Sequence, residues 1–245
     1  MRLFAALLLA LLCAAARAEE LRVVTEEFPP MQFSENGRLV GPAVEVVEAT
    51  LAAAGIKAEI KVLPWARALK MAHDEPNVLI FSIGRTLDRE KQYKWVGLVT
   101  DLTPAYMYGL ASRKLPVRSL EQARNYRIGT AIDNVFAESL NLAGFTNLEL
   151  FRDYDSGYAM LKAGHIDLMP MGEGMMAYYA RKHGDDPNLT FTRQFVFTDF
   201  ARRFSGNFMA FGLNAPDQLV ERLRRALDQV KQDGTYAAIQ RKWRE

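Results

Sequence analysis

Two blocks of alternating strand-like and helix-like segments constrain the fold of this chain most strongly. In residues 21–97 and again in 126–196, short apolar runs alternate with segments of helical character. Strands that alternate with helices are typical of a parallel sheet covered by helices on its faces. Extended stretches at 103–112 and 207–213 follow the two blocks. We therefore predict an α/β fold of two lobes, each a mainly parallel sheet with flanking helices, joined by two crossing strands. A cleft between two such lobes is a natural place for a small ligand.

The C-terminal segment has a different pattern. Residues 215–232 place Leu219, Leu223, Leu227 and Val230 on one helical stripe, and a second short helix is predicted after Gly234. An apolar stripe at this spacing indicates a helix that packs one face on a core. We expect both helices to pack back on the first lobe.

The N-terminus reads as a secretory signal over residues 1–18. Arg2 precedes the apolar run 3–12, and Ala16-Arg17-Ala18 forms a cleavage site of the A-x-A type. The mature chain is then expected to begin at Glu19 and to be soluble in the periplasm. Acylation of Cys13 is the alternative, but Leu12 before it is too bulky for the usual lipidation motif.

Charge and composition exclude several classes of function. Removing Arg2 and Arg17 lowers the basic count from 31 to 29, which equals the 29 acidic residues. A nucleic-acid partner calls for a basic surface, so we expect none. The three histidines have no metal-ligand spacing, and no phosphate loop or nucleophile–base motif is present. We predict no metal, no cofactor and no catalytic residue.

The turn after the third predicted strand carries the clearest binding signal. The apolar run 78–81 is followed by Ser82-Ile83-Gly84 and then by Arg85 and Arg89. Ligands of open α/β sheets bind at the carboxyl ends of the strands. The planar guanidinium of arginine suits a carboxylate, because it offers two parallel hydrogen bonds. The alternative is that both arginines are surface groups paired with nearby acids.

Five stretches carry a resemblance to a known family. Two lie near the N-terminus: Leu21 to Val24 with Phe28-Pro29-Pro30, and Gly41 with the predicted helix after it. The other three are TLDR at 86–89 with Trp95 six residues on, GHID at 164–167, and KQDGTY at 231–236 followed by Ile239 and Lys242-Trp243. The chain resembles the type 2 periplasmic solute-binding proteins of the polar amino-acid class, bacterial solute-binding family 3. The resemblance covers nearly the whole mature chain.

The resemblance implies a clamshell with lobe 1 at 19–106 and 208–245 and lobe 2 at 107–207. It implies a monomer that captures a small polar solute bearing a carboxylate, such as an amino acid, and delivers it to the permease of an ABC importer. A sensor that signals to a membrane protein is one alternative. A cyclohexadienyl dehydratase-like enzyme, with Glu173 as its general acid, is the other.

The resemblance and the residues together assign the site. Arg89 stands where the family binds the ligand carboxylate, Phe28 where an aromatic wall packs on the ligand, and Glu173 beside the acid that holds the ammonium. Trp65 is a pocket wall or core, and Arg67 and Arg85 are ligand contacts or surface groups. The candidate ligand-binding residues are Phe28, Trp65, Arg67, Ser82, Gly84, Arg85, Arg89, Asn134 and Glu173.

Overall fold

The computed structural model describes residues 21–101, 103–197 and 204–243. The predicted signal at 1–18, with Cys13, lies outside the described residues. The strands of the described chain are β1 (Arg22–Thr25), β2 (Phe33–Glu35), β3 (Arg38–Val40), β4 (Ile60–Val62), β5 (Val78–Thr86), β6 (Tyr93–Thr100), β7 (Ala105–Leu110), β8 (Gly129–Ala131), β9 (Glu149–Phe151), β10 (Met169–Gly172), β11 (Phe191–Val196) and β12 (Phe204–Gly212). Its α-helices are α1 (Pro42–Ala53), α2 (Trp65–Asp74), α3 (Val135–Leu142), α4 (Tyr154–Ala163), α5 (Glu173–Lys182), α6 (Pro187–Thr190), α7 (Asp217–Gln232) and α8 (Thr235–Lys242). Short 3₁₀ turns occur at Ala111–Arg113 and Gln122–Asn125.

Lobe 1 is built on a five-stranded sheet in the order β4-β1-β5-β12-β6. Side chains that alternate along β5 enter two different clusters, as the period of a strand requires. Leu79 and Phe81 pack with α1 and α7, whereas Val78 and Ile80 pack with α2. The C-terminal helices therefore cover one face of the lobe 1 sheet, as their apolar stripe predicts.

Lobe 2 contains the antiparallel sheet β10-β7-β11 and the parallel pair β8-β9. A parallel bridge between Ile128 and Leu168 joins them. Helices α4 and α5 bury Tyr158 and Met176 in one cluster, and α3 buries Leu140 in another. A core on each side of these strands holds the start of α3 and the start of α5 at fixed positions facing lobe 1.

The sheets are mixed rather than mainly parallel, and the segments predicted to cross between the lobes explain the difference. β7 pairs antiparallel with both β10 and β11 in lobe 2. β12 pairs antiparallel with β5 and β6 in lobe 1. Each of these segments enters its sheet from the opposite direction to the strand–helix–strand units, and so adds antiparallel neighbours. Residues 103–112 and 207–213 thus supply sheet strands as well as connections.

None of the helices in the described parts of the chain is long and apolar enough to span a bilayer. The same residues contain no cluster of three or more His, Cys, Asp or Glu side chains with the geometry of a metal site.

Candidate ligand site between the lobes

A cavity of about 100 Å³ lies where the two lobes meet. Lobe 1 supplies the loop after β1, the start of α2 and the turn after β5, while lobe 2 supplies the starts of α3, α4 and α5. The lining residues are Glu26, Phe28, Pro29, Pro30, Met31, Trp65, Ser82, Gly84, Arg89, Thr103, Ala105, Asn134, Val135, Phe136, Tyr154, Gly172, Gly174, Met175 and Asn207. Its walls are apolar and aromatic, with a few polar groups between them, which is typical of a small-molecule site.

Arg89 lines this cavity and is only 5% exposed. Its backbone N–H donates to Thr86 Oγ1 at 3.2 Å, which fixes the turn after β5. Its Nη2 donates to the carbonyl of Asp133 at 2.7 Å and to the carboxylate of Glu138, both in lobe 2, and Nη1 donates to the carbonyl of Gly84 at 3.5 Å. A guanidinium has five N–H donors. These contacts use three of them, so two remain, on Nε and Nη1.

Glu138 is the partner that lobe 2 offers to Arg89. It lies in the first turn of α3 and also accepts a hydrogen bond from Thr86 Oγ1 at 3.4 Å. Burial raises the pKa of Glu138, and the neighbouring Arg89 opposes that shift. The pair spans the cleft and is mostly shielded from water, so removing either partner would leave a buried charge uncompensated.

Ser82 owes its position to a chain of buried hydrogen bonds. Its φ of 60° lies in the left-handed region, which is uncommon for a residue with a side chain. Its hydroxyl donates to Gln32 Oε1 at 2.8 Å, and Gln32 Nε2 reaches Thr25 Oγ1 at 3.0 Å. Because its one proton is already donated, the Ser82 hydroxyl can only accept a hydrogen bond from a ligand.

Aromatic side chains from both lobes form the walls. Trp65 donates from its indole nitrogen to the carbonyl of Asp133 at 2.9 Å, and the Arg89 guanidinium lies 5.9 Å from its ring centre. Phe28 faces Tyr154 with ring centres 6.4 Å apart. Rings held by such contacts present flat apolar faces to whatever occupies the space between them.

Asn134 forms the N-cap of α3. Its Oδ1 accepts hydrogen bonds from the Ala137 N–H at 2.8 Å and from Thr130 Oγ1 at 3.0 Å, and its Nδ2 donates to Tyr154 Oη at 3.1 Å. Asp133 before it has a φ of 56°, which turns its carbonyl towards Arg89 and Trp65. Asn134 therefore lines the cavity but serves mainly to shape the wall.

Glu26 follows β1 and brings a carboxyl to the same space. It is partly buried, and burial raises its pKa to about 8, while Arg89 opposes the shift. It makes no hydrogen bond or ion pair with any other described residue. A second hollow, the outer hollow, shares Glu26, Trp65 and Tyr154 with the cavity and so adjoins it. The outer hollow is lined by Glu26, Glu27, Ser34, Val62, Leu63, Pro64, Trp65, Arg152, Asp153, Tyr154, Asp155, Tyr178, Tyr179 and Lys182.

Comparison with known proteins identifies the family of this chain. The model of the bacterial extracellular solute-binding proteins, family 3, matches residues 21–245. The chain belongs to this family. No curated protein sequence matches it.

Solved structures of solute-binding proteins share the two-lobed fold. A histidine kinase sensor domain with similarity to periplasmic binding proteins has a TM-score of 0.80 at 19% identity, covering 93% of this chain and 96% of its own. The arginine-, lysine- and histidine-binding protein ArtJ from Geobacillus stearothermophilus has a TM-score of 0.76 at 20% identity. The match covers 92% of this chain and 95% of ArtJ. An ancestral arginine-binding protein bound to arginine has a TM-score of 0.75 at 22% identity. The match covers 91% of this chain and 97% of the ancestral protein. At these identities the likeness shows the fold.

Six of the nine predicted site residues of this family 3 protein meet at the cavity. They are Phe28, Trp65, Ser82, Gly84, Arg89 and Asn134. The other three do not reach it. Arg67 is an exposed residue of α2. Arg85 donates to both carboxylate oxygens of Glu90, at 2.7 and 2.6 Å, with its guanidinium 5.2 Å from the ring centre of Trp95.

Glu173 also points away from the cavity. Its side chain is 50% exposed and forms an ion pair with Arg193, beside a separate surface hollow. Its neighbours Gly172 and Gly174 line the cavity instead. The predicted position along the chain is therefore adjacent to the site, but the first residue of α5 projects its side chain to the other side.

Sequence reasoning missed Glu26, Glu138, Tyr154 and Asn207. Glu26 follows a predicted strand, so the argument from strand carboxyl ends that selected Arg89 applied to it equally. Glu138 and Tyr154 gave no such signal, because their place at the site depends on how the two lobes of the solute-binding fold come together.

Proposed function

We propose that this protein captures a small polar solute that bears a carboxylate, such as an amino acid, in the periplasm and delivers it to an ABC importer. The observation that carries the proposal is a cavity walled by both lobes, with the buried Arg89 in its lining. Two guanidinium N–H groups remain after its contacts with Gly84, Asp133 and Glu138. Each of these groups can donate one charge-assisted hydrogen bond to a carboxylate oxygen.

Closure of the lobes is the second part of the proposed mechanism. The solute docks on lobe 1, and lobe 2 then brings Tyr154 and the start of α3 over it. A ligand shifts an open–closed equilibrium only by its higher affinity for one form. The contacts that lobe 2 makes with Trp65 and Arg89 favour the closed form. The membrane partner would recognise the closed form.

A thermal-shift screen of the mature protein, residues 19–245, tests the proposal. The protein is refolded to remove any carried solute and screened against amino acids, opines, polyamines, di-acids and aromatic acids. A ligand at 100 times its Kd adds ~2.7 kcal/mol to the free energy of unfolding, which gives a clear rise in Tm. A hit among α-amino acids supports the proposal, and hits confined to solutes without a carboxylate contradict it.

A sensor function is the second candidate, and the likeness to a histidine kinase sensor domain favours it. The two candidates share the same site and the same closure but differ in the membrane partner. A permease gene beside the gene for this protein supports transport, whereas a sensor kinase gene supports signalling. The dehydratase alternative loses its proposed general acid, since Glu173 pairs with Arg193 outside the cavity.

A further inference from the structure

The charged side chains at the cavity do not all have a partner of opposite charge. Among the described residues that line it, Glu26 and Arg89 are the charged ones. Arg89 already has an acidic partner in Glu138. Glu26 has no hydrogen-bonding or ion-pairing partner in the described chain. Counting these three groups as ionised, the site has one positive and two negative charges, so the group left to be matched is a carboxylate.

The surroundings of Glu26 also suit a cation. Glu27 lines the adjoining outer hollow, where it accepts hydrogen bonds from Ser34 rather than from a basic side chain. Of the two basic residues that line that hollow, Lys182 is held by Asp155 at 2.8 Å and Arg152 is exposed. Trp65 and Tyr154 line both spaces together with Glu26, and aromatic faces attract cations.

We propose that the Glu26 carboxylate binds a protonated amine of the solute, an assignment that rests on the proposed function. Both charged contacts then come from lobe 1: Arg89 takes the carboxylate and Glu26 takes the ammonium. Lobe 2 contributes rings and polar caps that exclude water from these contacts. The solute class is therefore an amine-bearing one, with Glu26 in the role that the sequence had assigned to Glu173.

The assignment predicts that the affinity for an amine depends on pH. The carboxyl of Glu26 has a pKa of about 8, and the titratable or charged groups that interact with it are Arg89, Tyr154 and Tyr179. A bound ammonium needs the ionised carboxylate, so binding releases a proton below pH 8. Affinity for an amine rises up to about tenfold per pH unit between pH 6 and pH 8.

The test uses matched sets of probes on the mature protein. Each set holds an amino acid, the amine that lacks its carboxylate and the acid that lacks its α-amine: L-phenylalanine, 2-phenylethylamine and 3-phenylpropanoate; L-leucine, 3-methylbutylamine and 4-methylpentanoate; and L-arginine, agmatine and 5-guanidinopentanoate. Calorimetry at pH 6, 7 and 8 compares the wild type with Glu26→Gln and with the control Glu27→Gln. Circular dichroism confirms that each variant is folded.

The expected result is specific to one residue. Glu26→Gln weakens binding of the best amine-bearing probe by more than tenfold at pH 8 and abolishes its pH dependence, while Glu27→Gln changes the Kd less than threefold. Equal affinities in the wild type and Glu26→Gln overturn this assignment and leave the proposed function standing. Binding of the acid probes alone overturns it as well. No binding of any probe contradicts the proposed function for these solute classes, and the assignment with it.

Discussion

The two walls of the cavity present different kinds of group. The lobe 1 wall carries the charged side chains of Glu26 and Arg89 at the ends of β1 and β5. The described lining from lobe 2 carries rings, glycines and a capped helix start, and its acid Glu138 reaches Arg89 from behind that lining. Under the proposed function, this difference divides the roles: lobe 1 recognises the solute's charges, and lobe 2 shields them and holds the cleft closed.

Removing the lobe 1 cation gives the largest expected effect. Arg89→Ala weakens binding of a carboxylate-bearing ligand by ~2–5 kcal/mol, because the ligand's charge loses its partner in a buried site. Calorimetry with the best ligand of the thermal screen measures this loss. Arg85→Ala is the matched control, since Arg85 lies four residues away and pairs with Glu90 outside the cavity. Similar losses in both variants would show that the turn as a whole, rather than Arg89, matters.

Neutralising the lobe 1 acid changes how stability depends on pH. Folding raises the pKa of Glu26 from 4.5 to about 8, so the folded chain holds the proton more tightly than the unfolded chain does. Its contribution to stability is complete below about pH 4.5 and is lost as the pH rises through about 8. Each unit of pKa shift corresponds to roughly 1.4 kcal/mol. Glu26→Gln is therefore expected to be more stable than the wild type at pH 8 and to lose that advantage at pH 5.

Urea denaturation at pH 5 and pH 8 measures the effect in the absence of ligand. Glu27→Gln is again the control, because Glu27 lies in the outer hollow and accepts hydrogen bonds from Ser34. A pH dependence that is the same in the wild type and Glu26→Gln would mean that Glu26 titrates normally and is well solvated.

Disrupting the lobe 2 partner of Arg89 tests the shielding role. Glu138→Gln weakens the ion pair across the cleft and is expected to favour the open form by ~1.5–3 kcal/mol, the usual range for a hydrogen bond to a charged group. Small-angle X-ray scattering of ligand-free protein would then show a larger radius of gyration. If neither Glu138→Gln nor Arg89→Ala changes the radius of gyration of the ligand-free protein, this ion pair does not hold the lobes together.

The smallest expected effect comes from a glycine of lobe 2. An added Cβ at Gly174 would lie 3.1 Å from Pro30 Cγ and Cδ in lobe 1, which is tight and requires a small shift. Gly174→Ala should weaken ligand binding by less than ~1 kcal/mol, because two lobes on a hinge adapt more easily than a core does. Gly172→Ala is the control, since its Cβ would meet Thr103 Oγ1 at an ordinary 3.6 Å. Equal effects of the two variants would argue against contact at Pro30.

Local signals in the sequence were enough to predict the two-lobed fold and the turn with Arg89. These signals are apolar runs, glycines at helix ends and the order strand, turn, arginine. Each can be recognised within a window of about twenty residues. The same information could not separate Arg85 from Arg89, because the partner of Arg85 is Glu90, whereas Arg89 finds Asp133 and Glu138, 44 and 49 residues further along the chain. Nor could it place Glu173, where the first turn of α5 decides the direction of the side chain.

The indole of Trp65 gives the protein an optical reporter of its own motion. Trp65 donates to a lobe 2 carbonyl, whereas Trp95 donates to Glu90 and Trp243 to Glu45, both within lobe 1. Separation of the lobes would remove the partner of Trp65 alone and expose its ring to water. Fluorescence emission that shifts to the blue when a solute is added would therefore follow closure in real time, without any attached dye.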